Sequence, residues 1–171
     1  MRLSLCIVIL LFNYKLAVAQ DSTKIRFIDS LVASIDARSD TKSSITEGTV
    51  RPQYKPIYKN IFKKRRKGFF ADWFVTDNKN HLLKVFNEMA VSNTHNYTTY
   101  YFCNDSLVFV RTKNDPGSNL SQIPLKEGFY YFENGLLLYA TGQHSNYQYF
   151  LRNARVYLKE NPYKDNLPLS L

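Results

Sequence analysis

Tyr100–Val108 reads YYFCNDSLV, and Tyr130–Leu138 reads YYFENGLLL. Each copy is an aromatic run, two turn-forming residues and an apolar return. Asn134-Gly135 is the strongest short-range hairpin signal, because both central residues of a type I′ turn need positive φ. Asn104-Asp105 is a weaker form of the same chemistry. The doubled stretch therefore predicts two antiparallel hairpins. A two-residue turn fixes the pairing, so Phe102 falls opposite Leu107, Tyr100 opposite Phe109, Phe132 opposite Leu137, and Tyr130 opposite Tyr139. These eight residues then share one face. The other face carries Tyr101 with Val108, Thr99 with Val110, Tyr131 with Leu138, and Phe129 with Ala140. Both faces come out apolar, whereas a half-solvated antiparallel sheet alternates apolar with polar. Cover on both faces is expected.

Working outward, Phe69–Thr76 and His81–Ala90 form a third hairpin around the cluster Asp77-Asn78-Lys79-Asn80. The strands of the doubled motif run over Tyr97–Cys103, Ser106–Lys113, Gly128–Glu133 and Leu136–Thr141. Ile45–Val50 is a candidate short first strand. Two helices flank this β region. Ile25, Ile28, Val32 and Ile35 recur at three and four within Asp21–Arg38. Tyr147, Phe150, Leu151, Ala154, Tyr157 and Leu158 mark one face of a last helix, with Ser145 as N-cap and Pro162 as stop. The expected fold is α+β: an N-terminal helix, an antiparallel meander of about six strands in three hairpins, and a C-terminal helix packed on the sheet.

The first twenty residues set the expected compartment. Arg2 precedes the apolar run Leu3–Phe12, and Ala17-Val18-Ala19 supplies small residues at a cleavage site. This is the pattern of a secretory signal, and the run is too short to span a bilayer. The reading is a cleaved signal over 1–19, one α+β domain over 20–162, and a loosely ordered tail over 163–171. The mature chain is expected in the periplasm or outside the cell, most simply of a bacterium, with no transmembrane segment. Cys103 is the one cysteine left after cleavage, so no internal disulfide is expected. Beside a tight turn it reads as a strand residue rather than a nucleophile. The sequons at Asn96, Asn104 and Asn119 would mark exposed sites in a glycosylating host.

Charge is unevenly placed. Loss of Arg2 and Lys15 lowers the net charge from +9 to +7. Arg51, Lys55, Lys59, Lys63, Lys64, Arg65, Arg66 and Lys67 lie in one stretch without an acid. The rest of the mature chain is near neutral. Pro52 and Pro56 forbid a regular helix across the first half of 51–67, which reads as an ordered basic loop pinned by its aromatics. In an exported chain such a segment suits an anionic surface or another exported protein, and not nucleic acid.

The chain contains no HExxH, CxxC, GxSxG or glycine-rich phosphate loop. Its histidines His81, His95 and His144 sit beside predicted turns or element ends. No metal and no cofactor is expected. The function expected is therefore non-catalytic binding, by the basic residues and an aromatic face drawn from Tyr100, Tyr101, Tyr130, Tyr131 and Tyr139. The alternative is a small secreted enzyme with a carboxylate or histidine site in a groove of the sheet. Asp72, with Glu88 on the next strand facing the same side, is its best acid–base pair.

Overall fold

The computed structural model describes residues 22–50, 68–91, 94–115, 126–141 and 147–164. The chain divides into two compact units, 1–38 and 39–171. In the first, helix α1 covers 22–36, and Ile28 and Ile35 of its apolar stripe are buried. In the second, seven strands and one helix form the α+β architecture. The strands are β1 (Lys42–Val50), β2 (Gly68–Thr76), β3 (Leu82–Val91), β4 (Thr94–Cys103), β5 (Ser106–Asp115), β6 (Lys126–Glu133) and β7 (Leu136–Ala140). They lie side by side in chain order and every pair is antiparallel. β1 makes nine register pairs with β2, so it is a full edge strand and not a short stub.

Three tight turns gather at one end of the sheet. Asn104 and Asp105 have φ of 49° and 56°, and Asn134 and Gly135 of 51° and 76°. Both pairs thus adopt the left-handed conformations that a type I′ turn demands. The β2–β3 turn is built on Asp77. Its Oδ1 accepts from Lys79 N (2.8 Å) and His81 N (2.9 Å), and its Oδ2 lies 3.0 Å from His81 Nδ1. Asn80 takes the positive-φ position there, at 67°. At the opposite end of the sheet Val50 pairs with Gly68 and Asn114 with Lys126; residues 51–67 and 116–125 lie outside the described residues.

The predicted pairing of the doubled motif is right beside each turn and wrong beyond it. Phe102 pairs with Leu107, but Tyr101 pairs with Phe109, leaving Val108 without an opposite number. Phe132 pairs with Leu137, but Tyr131 pairs with Tyr139, leaving out Leu138. Each hairpin therefore holds a β-bulge at the same position. One extra residue shifts every later side chain of that strand to the other face. Phe109 and Tyr139 leave the face of Tyr100 and Tyr130, which pair instead with Val110 and Ala140.

Helix α2 (Gln148–Glu160) closes one face, called here the helix face. Phe150, Ala154 and Tyr157, spaced by four and three, are its buried stripe. They pack with Phe74, Leu82, Val85, Tyr100, Phe102, Leu107, Val110, Tyr130 and Phe132. Full burial of one such large side chain stabilises the fold by roughly 1.5–3 kcal/mol. Ser145 lies outside the described residues. Tyr147 occupies the N-cap position in helical conformation, with no side-chain capping bond. Asn161 leaves the helix ahead of Pro162, whose ring disfavours a helical residue before it. Asn161 Nδ2 then donates to Asn80 O (3.0 Å), and Tyr163 Oη donates to Ser43 O (2.9 Å). The chain after α2 is thereby tied to the β2–β3 turn and to β1.

Candidate functional site

The far face of the sheet, opposite α2, follows from the register. It carries Phe69, Ala71, Trp73 and Val75 of β2, then Lys84, Phe86, Glu88 and Ala90 of β3. β4 adds His95, Tyr97, Thr99 and Tyr101; β5 and β6 add Phe109, Arg111, Lys113, Glu127, Phe129 and Tyr131; β7 adds Tyr139. Rings run across strands here in two ladders. Trp73 meets Phe86 at 5.1 Å, Phe86 stacks on Tyr97 at 5.9 Å, and Tyr97 stacks on His95 at 6.2 Å. His95 then meets the edge of Phe69 at 6.3 Å. In the second ladder Tyr101 meets Phe109 at 5.6 Å, Phe109 meets Tyr131 at 4.9 Å, and Tyr131 meets Tyr139 at 5.9 Å. Such cross-strand aromatic pairs add to sheet stability beyond the area they bury.

Cations are interleaved with these rings. Lys84 Nζ lies 5.8 Å from the Tyr101 ring centre, and the Arg111 guanidinium 5.7 Å from that of Phe129. Arg111 also bonds Glu127 at 3.3 Å, and His95 Nδ1 lies 3.1 Å from Glu88 Oε1. Burial comes first among the causes that hold the Tyr97 hydroxyl above its ordinary range, followed by the nearby Glu88 and Asp115 carboxylates. The middle of the second ladder is buried at Tyr101, Phe109 and Tyr131, while Phe69 and Tyr139 at the margins stay 43% and 48% exposed.

The predicted aromatic set is thus split. Tyr101, Tyr131 and Tyr139 belong to the far face, but Tyr100 and Tyr130 are buried under α2 at 1% and 0% exposure and are structural. Phe109 joins the far face because of the bulge, which nothing in its neighbours' chemistry announces. Trp73, Phe86, Tyr97 and Phe129 also belong there; their alternation along β2, β3, β4 and β6 was the available signal. The basic set Arg51, Lys55, Lys59, Lys63, Lys64, Arg65, Arg66 and Lys67 lies outside the described residues. Its two attachment points, Val50 and Gly68, are paired with each other.

A second polar group sits at the margin of the helix face. Asp72 Oδ1 accepts from Asn87 Nδ2 (2.7 Å) and from Tyr157 Oη (3.1 Å). Asn153 Nδ2 donates to Tyr100 Oη (3.2 Å), and the two tyrosine rings meet edge to face at 5.1 Å. Burial drives both phenols well above their ordinary range; at Tyr157 the neighbouring Tyr100 and Asp72 add to it, while at Tyr100 the Asn153 bond works the other way. Both hydroxyls therefore stay protonated, and Tyr157 is a lasting donor to Asp72. The expected Asp72–Glu88 pair does not exist. Asp72 is in register with Asn87, and Glu88 with Ala71, so the two carboxylates point to opposite faces. Among the described residues no three His, Cys, Asp or Glu side chains gather as a metal site. His81 is held by the Asp77 turn, and Cys103 flanks the β4–β5 turn.

No family model, curated protein or solved structure matches the chain. The site must be read from its own geometry. On the helix face these polar groups, Asp72 with Asn87 and Tyr157 and Asn153 with Tyr100, bond one another within the packing of α2. On the far face they stand among rings, several of them half-buried, with cations stacked over two. That second arrangement suits contact with a ligand that has both apolar and charged surface.

Proposed function

We propose that the protein is an exported, non-catalytic binding protein whose sheet is the scaffold and whose partner is an anionic surface. Contact is made by the basic segment Arg51–Lys67 together with the exposed far-face rings Phe69 and Tyr139, with Tyr101 and Tyr131 as the buried ladder that holds Tyr139. The observation that carries the reading is the pairing of half-exposed rings, Phe69 and Tyr139, with the ring-stacked cations Lys84 and Arg111 on one face. The signal pattern of residues 1–19 supports export, and the acid-free run of eight cations supports an anionic partner. A cation near an acidic leaflet contributes about 1 kcal/mol, which screening removes beyond about 8–10 Å.

The test compares the wild type with a variant neutral at Lys63, Lys64, Arg65, Arg66 and Lys67. Both are titrated with phosphatidylglycerol vesicles and, separately, with heparin, across salt. The wild type is expected to bind at low salt and release as salt rises, with the variant weaker on the order of 1,000-fold at low salt. Binding to vesicles alone assigns a lipid surface, and binding to heparin alone an acidic glycan. Equal, salt-insensitive binding by both proteins overturns the proposal.

A further inference from the structure

The two edges of the sheet are built differently. In an antiparallel ladder a residue sends its N–H and C=O to the same side, and successive residues alternate sides. Tyr163 Oη donates to Ser43 O from beyond the sheet, so Ser43 faces outward. Ile45, Glu47 and Thr49 then face outward too. The register of β1 on β2 is unbroken from Lys42 to Val50, so these three residues present donors and acceptors at even spacing. All three are exposed. β7 is the other edge. It has five residues, and the bulge at Leu138 interrupts the even spacing of its outward groups. Shortness and bulges are how sheets blunt an edge. β1 has neither.

The side chains of β1 indicate what it accepts. On the far face Ile45 is in register with Trp73 and Thr49 with Phe69, with Glu47 between them. Ile45 is 47% exposed, and Glu47 makes no ion pair among the described residues. On the helix face Gly48 has no side chain because the Phe70 ring lies across it; a Cβ there would come within 2.4 Å of that ring. Both faces of the edge thus offer apolar surface, with one unpaired acid between. A second copy fits poorly. Antiparallel pairing through the three outward residues sets Glu47 against Glu47, which is destabilising. Moving the register by two one way engages Ser43, whose carbonyl Tyr163 already holds, and the other way leaves only Glu47 and Thr49 paired among the described residues.

We infer that β1 is a docking edge for an extended segment of another protein, added as an eighth strand. That segment carries Lys or Arg opposite Glu47, with an apolar residue two positions to either side. Main-chain bonds supply the attachment and these alternate side chains the selectivity. The inference stands on the described edge alone and does not need the anionic partner proposed above.

The test uses the ¹⁵N-labelled protein and the capped peptide Thr-Val-Thr-Lys-Thr-Val-Thr, beside a peptide with Glu in place of Lys. With the Lys peptide, the amides of Ile45, Glu47 and Thr49 are expected to shift and to gain protection from hydrogen exchange. The Lys peptide should bind about five- to tenfold better than the Glu peptide, and Glu47→Lys should reverse that order. Ile45→Pro removes an outward N–H without touching the β1–β2 ladder, so it should keep the fold and lose binding. Absence of any β1 response at millimolar peptide in the folded wild type overturns the inference. So do equal affinities for the two peptides, and so does undiminished binding by a folded Ile45→Pro protein.

Discussion

Tyr100 and Tyr101 are neighbours in sequence, and so are Tyr130 and Tyr131, yet each pair divides between the two faces of one sheet. Under α2, Tyr100 and Tyr130 have almost no exposure and pack on Phe150 at 6.2 and 4.8 Å. On the far face Tyr131 leads through a ring ladder to Tyr139, which is half exposed. The same side chain is thus sealed under a helix on one side, and on the other belongs to a ladder that reaches solvent at Tyr139. The split within each pair comes from strand alternation, and the repeated bulge decides which cross-strand residues join each side, sending Phe109 and Tyr139 to the far face. Aromatic content alone would not have sorted them.

The contrast is open to direct attack. Phe132→Ala on the helix face should cost about 3–5 kcal/mol in urea unfolding, because it empties a fully buried ring site. Tyr139→Ala on the far face should cost under about 1 kcal/mol, since half of that ring is already in water. Similar costs for the two would erase the distinction between the faces.

Two polar changes should cost less than Phe132→Ala. Tyr157→Phe removes the donor to Asp72 and should cost about 1–3 kcal/mol, leaving a partly buried carboxylate with one partner fewer. Asp77 offers a pH signature. Burial opposes its ionisation, but the bonds from the His81 ring, His81 N and Lys79 N outweigh that and lower its pKa below the usual 3.8. A depressed carboxylate contributes stability above its unfolded pKa and loses it as pH falls through the folded value. Asp77→Asn should therefore destabilise the protein at neutral pH by about 1–2 kcal/mol and flatten the acid limb below about pH 4. An unchanged acid limb would show that the turn does not carry that charge.

One change is expected to be a gain. Thr76 Oγ1 is buried with no hydrogen-bond partner among the described residues. Thr76→Val keeps the shape and removes the stranded hydroxyl, so the midpoint of thermal unfolding should rise by an amount equivalent to about 1 kcal/mol.

Much of this fold was legible where local chemistry is decisive. Asn104-Asp105 and Asn134-Gly135 announced their turns, and the three- and four-residue spacing of Phe150, Ala154 and Tyr157 announced α2. The bulges were not legible. Val108 and Leu138 are good strand residues in any register, so nothing in their type marks an extra residue. β1 was read short because Lys42, Ser43 and Ser44 carry no hydrophobic alternation. An edge strand needs little of it, since its outer side packs on nothing that must be apolar. Asp72 was singled out for a pair with Glu88, but its partners proved to be Asn87 and Tyr157. Placing Glu88 beside it required a register that only the β2–β3 pairing supplies. The basic segment was visible in charge alone, which reports an attraction and no shape.

The most direct test of the account sets one face against the other in a binding measurement. Phe69→Ser/Tyr139→Ser and Tyr157→Phe are compared with the wild type for partitioning onto phosphatidylglycerol vesicles and onto heparin at low salt, with thermal unfolding measured in parallel. The far-face variant should bind about tenfold or more weakly with little change in unfolding midpoint. The helix-face variant should unfold earlier and bind as the wild type does. Wild-type binding by a folded far-face variant would contradict the claim that this face is the contact surface.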